Sequence, residues 1–143
     1  MDTTPRLWLD KYIVLDATGG RATIWRVPRE EYLDFGDANQ AYFAWEYHAV
    51  GPGAADLQMT FERTSLQVAK TGTDVDELED MNLTPISLTR GHGWGKWVFG
   101  RDHSAVGDRY PRGLGALELY NSSSTGTDWA AVRLRVWATL QEA

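Results

Sequence analysis

Residues 129–140 constrain the fold more than any other stretch of the chain. Val132, Leu134, Val136, Ala138 and Leu140 fall on one side of an extended backbone, and Ala131, Arg133, Arg135, Trp137 and Thr139 on the other. A period of two marks a strand with one buried face, whereas a helix would repeat its apolar positions every three to four residues. Such a strand needs partners of its own kind, and the rest of the chain supplies them.

Over residues 40–49, Ala41, Phe43, Trp45 and Tyr47 alternate with Tyr42, Ala44, Glu46 and His48, an aromatic content that favours a sheet. Leu57, Met59 and Phe61 alternate with Gln58, Thr60 and Glu62, and Leu66 and Val68 resume the pattern after a turn, bulge or bend near Arg63 and Thr64. Further strands are predicted over residues 7–15, 22–27, 86–89, 96–99 and 115–121. Gly19-Gly20, Gly51-Pro52-Gly53, Thr71-Gly72-Thr73, Pro111-Arg112-Gly113 and the serine-rich residues 121–126 punctuate them as loops. Residues 28–35 and 74–81 alone suit a helical turn or two, the first with Pro28 leading into Glu30 and Glu31. Nothing is long enough for the crossover helices of a parallel sheet. The expectation is an all-β chain: a single antiparallel β-sandwich, jelly-roll-like, with eight or nine short strands and minimal helix. Neither a repeat nor a linker divides residues 1–143, so one domain is expected.

Composition removes whole classes of function. At 43% hydrophobic residues the chain can bury a core, so disorder is not its main state. With no Cys there are no disulfides, thiolate zinc sites or thiol nucleophiles. Purely apolar runs, such as residues 12–15 and 97–99, fall far short of a bilayer span, and no basic segment leads into an apolar one at the N-terminus. The expectation is therefore no signal peptide and no membrane partner, with a place in the cytoplasm or within a particle. A net charge of −6 has the wrong sign for a protein that neutralises phosphates, which makes nucleic acid a poor partner.

The charge is segregated. Residues 90–112 hold Arg90, Lys96, Arg101, Arg109 and Arg112 against Asp102 and Asp108. Acids gather at Glu30, Glu31, Asp34 and Asp37, and again at Asp74, Asp76, Glu77, Glu79 and Asp80. Complementary patches of this kind suit contacts between subunits of a homo- or hetero-oligomer; solvated loops are the simpler alternative.

Residues 89–100 interleave Gly91, Gly93, Gly95 and Gly100 with His92, Trp94, Lys96 and Trp97. With Arg90, these side chains form a candidate ligand or interface platform, on which Trp94 or Trp97 could stack on the apolar face of a pyranose. The structural alternative is a hairpin that sends Trp97 and Phe99 into the core, with Trp94 capping the sandwich or facing a neighbour.

No catalytic or metal signature emerges. The acidic run over residues 74–80 has Glu79 where a calcium loop of the EF-hand type needs Gly. His48, His92 and His103 show no metal-ligand spacing, and Asp102, His103 and Ser104, being adjacent, cannot form a relay. Asn82-Leu-Thr and Asn121-Ser-Ser match the glycosylation acceptor pattern by chance. No cofactor is expected.

These readings favour a non-catalytic structural or interaction protein, one subunit of a larger assembly such as a virion or phage-head accessory protein. Its interface candidates are Arg101, Arg109, Arg112, Trp129, Arg133, Arg135 and Trp137, with the second acidic cluster as their counterpart. The alternative is a carbohydrate-binding β-sandwich, a lectin or binding module, that uses the Trp- and Gly-rich segment.

Overall fold

The structure, a computed structural model, describes residues 4–16, 23–64, 78–82, 84–100, 111, 113–123 and 128–142. Among these residues the strands, in chain order, are β1 (Arg6–Leu15), β2 (Thr23–Arg26), β3 (Leu33–Asp34), β4 (Ala38–Val50) and β5 (Leu57–Thr64), then β6 (Leu78–Asp80), β7 (Ile86–Ser87), β8 (Gly91–Gly100), β9 (Leu114–Asn121) and β10 (Ala130–Glu142). They form an antiparallel β-sandwich. One sheet has four strands in the order β1-β10-β4-β8; the other runs β2-β9-β5-β6, with β3 added on β9 and β7 on β5.

The alternation of β4 and β10 is realised as the sequence predicts. Ala41, Phe43, Trp45, Tyr47 and Ala49 point inward beside Val132, Leu134 and Val136, and meet Leu57, Met59, Phe61, Leu117 and Leu119 of the second sheet. Phe43 stacks on Phe61 at 4.4 Å between ring centroids, and Trp45 packs on the same Phe61 at 5.7 Å. Burial of these rings is the main force joining the sheets, because apolar area removed from water contributes roughly 25 cal/mol per Å².

Several details depart from the sequence reading. β5 stays regular through Arg63 and ends at Thr64, with Arg63 continuing the inward series of Leu57, Met59 and Phe61 and laying its guanidinium 5.2 Å from the Phe99 ring centroid; the chain just beyond Thr64 lies outside the described residues. Residues 28–35 yield one 3₁₀ turn, Arg29–Glu31, before the chain is drawn onto β9 as β3. Residues 78–80 of the second expected helical turn pair with β5 instead. A further 3₁₀ turn, Pro52–Asp56, occupies a segment expected to be loop. The strands β3 and β6 are ones the sequence does not predict. Leu66, Val68 and the Gly19-Gly20 turn lie outside the described residues.

On the outer side of the second sheet, Arg26 bridges two acids, with Nε 2.9 Å from Glu62 Oε1 and Nη2 2.8 Å from Glu118 Oε2. Glu62 is buried, and that desolvation pushes its carboxyl up from the ordinary glutamate range despite the neighbouring guanidinium. Both glycosylation-pattern asparagines are committed to the fold. Asn121 is fully buried and donates to the Asp128 and Leu15 carbonyls, while Asn82 accepts from the Phe61 N–H and donates to the Thr84 carbonyl.

Candidate functional site

The strands of the four-stranded sheet turn their second set of side chains outward, and the register sorts these into rows. Tyr12, Arg133, His48 and His92 form one row; Asp10, Arg135, Glu46 and Trp94 the next; Leu7, Trp137, Ala44 and Lys96 a third. Thr139, Tyr42 and Val98 form a fourth. A bulge at Trp8 makes the third row possible. It lets Leu7 face outward although Leu9, two positions on, is buried, and it sends the Trp8 indole inward to donate to the Glu31 carbonyl at 2.7 Å.

The β8 segment explains its own composition. The sequence predicts strand only from Lys96, yet all of Gly91–Gly100 is strand. Gly93 and Gly95 face inward, where β4 sends Tyr47 and Trp45 across them. A Cβ on Gly95 would lie 2.4 Å from Trp45 Cζ2, and one on Gly93 would lie 2.2 Å from the Tyr47 hydroxyl oxygen. Tyr47 is pinned there, accepting the Thr89 N–H at 3.0 Å and sharing a hydrogen bond with the Thr89 hydroxyl. The glycines thus make room on the core side of an edge strand, and the strand presents His92, Trp94 and Lys96 on the other.

This geometry divides the expected platform. Trp94 stands 78% exposed on the outer face, whereas Trp97, three residues on, points inward. Trp97 stacks against Phe61 at 5.5 Å and Phe43 at 6.2 Å, so it belongs to the core and not to the platform. Arg90 precedes β8, exposed at the end of the sheet, and donates to the Pro52 carbonyl at 3.3 Å. Trp129 lies over Gly51 at the sandwich end, away from the rows. Arg133, Arg135 and Trp137, read from the sequence as interface candidates, join Trp94, His92 and Lys96 on one surface. Asp80 is exposed on β6 of the other sheet; of Glu79 only the backbone, paired with Arg63, is described. Asp74, Asp76, Glu77, Arg101, Asp102, His103, Ser104, Arg109 and Arg112 lie outside the described residues. Glu31, expected in a solvated acidic loop, instead binds Lys11 Nζ at 2.6 Å.

Among the described residues, two depressions lie on this surface. One, of about 500 Å³, is lined by Glu46, His48, His92, Trp94, Arg133 and Arg135. The other, of about 220 Å³ and more apolar, lies among Tyr42, Ala44, Lys96, Val98, Trp137 and Thr139. Ala44 opens the second, since a larger side chain there would fill the gap between Trp137 and Lys96.

Charges on the surface are partly committed. Asp10 lies 3.4 Å from both Arg133 Nε and Arg135 Nε, and Arg135 also reaches Glu46 at 3.2 Å. Hydrogen bonds from Arg133, helped by Arg135, hold the Asp10 carboxyl below the usual aspartate range. The rings of His48 and His92 stack at 4.0 Å with planes 16° apart. Tyr12, 72% exposed, closes the row beyond Arg133. Alternation alone places Tyr42, Glu46 and His48 on one side of β4, but the residues across from them depend on a register that local sequence does not carry.

No protein-family model matches the chain, and no curated protein matches it. In three dimensions it is similar to a carbohydrate-binding module of the CBM4 type, with a TM-score of 0.51 and 8% identity over 92% of this chain and 84% of that one. The N-terminal cellulose-binding domain of Cellulomonas fimi β-1,4-glucanase C gives a TM-score of 0.47 at 9% identity, covering 94% of this chain and 78% of that one. The CBM22-1 xylan-binding domain of Paenibacillus barcinonensis Xyn10C also gives 0.47, at 11% identity, covering 100% and 99%. The likeness to the CBM4-type module is one of fold, a β-sandwich built from two antiparallel sheets.

Proposed function

We propose that the protein is a non-catalytic carbohydrate-binding β-sandwich whose binding surface is the outer face of β1, β10, β4 and β8. The observation that carries this reading is that exposed Trp94 shares one face with Trp137, Tyr42 and Tyr12, interleaved with hydrogen-bonding side chains and two depressions. A pyranose has one face rich in C–H and a rim of hydroxyls. It binds where an aromatic ring covers the first and fixed polar groups meet the second. A sheet holds those groups rigidly, so little side-chain order is lost on binding. The fold likeness to a carbohydrate-binding module favours this reading over the assembly subunit that the charge segregation suggested.

Affinity electrophoresis through gels containing β-glucan, xylan or polygalacturonate tests it. Retardation of the wild-type protein by at least one polysaccharide, lost in Trp94→Ala with its melting temperature preserved, is the expected result. A folded wild-type protein that migrates unretarded through every gel overturns the proposal.

A further inference from the structure

The hydrogen-bonding groups on this face are unevenly committed. Both carboxylates are taken: Asp10 is shared between Arg133 and Arg135, and Glu46 binds Arg135. By contrast His48, His92 and Lys96 have no hydrogen bond or ion pair among the described residues, and His48 and His92 make contact only through their stacked rings. What the face offers a ligand is therefore dominated by donors: the Lys96 ammonium, at least one N–H on each imidazole, and the N–H groups of Arg133. Of the two arginines, Arg133 is the more weakly held. Its two bonds to Asp10 are both 3.4 Å, well beyond the length of a strong charge-assisted pair, and its side chain is 57% exposed.

Arg133, His48 and His92 share one row, and all three line the larger depression. Tyr12 is the remaining member of that row, and Ala131, Val50 and Val14 lie on its far side. Asp10, Arg135, Glu46 and Trp94 lie on its near side. A hydroxyl rim needs donors and acceptors in balance, and this row brings no carboxylate of its own. A ligand carboxylate supplies what is missing: it accepts from Arg133 in a fork, and from the imidazoles beside it. The chain's net charge of −6 gives no general attraction for polyanions, so any preference must come from this local set.

Resting on the glycan-binding reading above, we propose that the sugar bound here is a hexuronate unit of an acidic polysaccharide. Its ring lies against Trp94 and its carboxylate sits on Arg133, beside the stacked imidazoles of His48 and His92.

Isothermal titration of the whole chain with polygalacturonate, neutral hydroxyethyl cellulose and dextran sulfate tests this. At about 20 mM salt polygalacturonate binds about tenfold more tightly than the neutral polymer, and at about 500 mM salt the advantage shrinks to about twofold. Arg133→Gln and the double variant His48→Gln/His92→Gln each weaken polygalacturonate binding about tenfold with the fold intact by circular dichroism. Equal affinity for the neutral polymer overturns the acidic preference and leaves the glycan reading standing. Preference for dextran sulfate overturns the carboxylate assignment, and undiminished binding by Arg133→Gln overturns its placement. Absence of binding to all three polymers and to the neutral β-glucan and xylan of the gels removes the glycan reading itself.

Discussion

The Trp45 indole occupies the space that a side chain on Gly95 would need: a Cβ there would stand 2.4 Å from its Cζ2. Trp45 cannot swing aside, since it is 6% exposed and packed on Phe61. Gly95→Ala therefore forces an overpacked core and lowers stability by about 1–3 kcal/mol, read as a shift in the urea midpoint with an unchanged slope. Gly93→Ala meets Tyr47 in the same way. Pairing Gly95→Ala with Trp45→Phe restores part of the loss, and strictly additive effects would show that the two residues do not compete for one space.

Trp94 and Trp97 lie three residues apart and do opposite work. Trp97→Ala removes a ring stacked among Phe43, Phe61 and Phe99 and costs about 3–5 kcal/mol of stability. Trp94→Ala shifts stability by no more than about 0.5 kcal/mol, because the ring is exposed. Thermal melts of the two variants decide the point, and equal destabilisation would contradict the assignment.

Glu62 and Asp10 give the protein opposite pH slopes. Burial raises the Glu62 carboxyl in the folded state, so its contribution is full below the ordinary value of 4.5 and is lost as pH rises through the raised one. The Asp10 carboxyl is lowered, so its contribution is present above the ordinary value of 3.8 and is lost as pH falls through the lowered one. Glu62→Gln flattens the decline in stability just above pH 4.5, and Asp10→Asn flattens the decline below pH 3.8. Denaturant midpoints across that range read both slopes, which would be unaltered if neither group were perturbed.

Asn121 ties β9 to the start of β10. Its amide donates to the Asp128 carbonyl at 2.8 Å, its oxygen accepts from the Ser123 N–H at 3.1 Å, and the Asn121 side chain is itself fully buried. Asn121→Ala takes the side-chain partner from both groups and costs about 1–3 kcal/mol by chemical denaturation. The same burial predicts no glycan on Asn121 when the protein is secreted from a glycosylating host, as intact mass would show.

The two-faced alternation of β4 and β10 was legible because burial on one side leaves a mark every second residue. It already set Trp137, Arg133 and Arg135 against the apolar stripe of their own strand. The glycine run of β8 was not legible as strand, because Gly is depleted in sheets and its cause, the rings of Trp45 and Tyr47, lies more than forty residues away in the chain. With strand predicted only from Lys96, Trp94 and Trp97 read as members of one platform, though an odd spacing on a strand sends them to opposite faces. The row of Tyr12, Arg133, His48 and His92 was equally hidden, since register between distant strands leaves no local trace.

The most direct test of the binding face is an amide and indole chemical-shift titration of the isotopically labelled protein with oligosaccharides of the polymer it binds in the gels. The account predicts the largest changes at the Trp94 and Trp137 indole N–H and at the His48, His92 and Arg133 amides, with β5 and β9 undisturbed. Changes centred on Thr60, Glu118 and Tyr120 of the opposite sheet, or on Trp129 at the sandwich end, would contradict it.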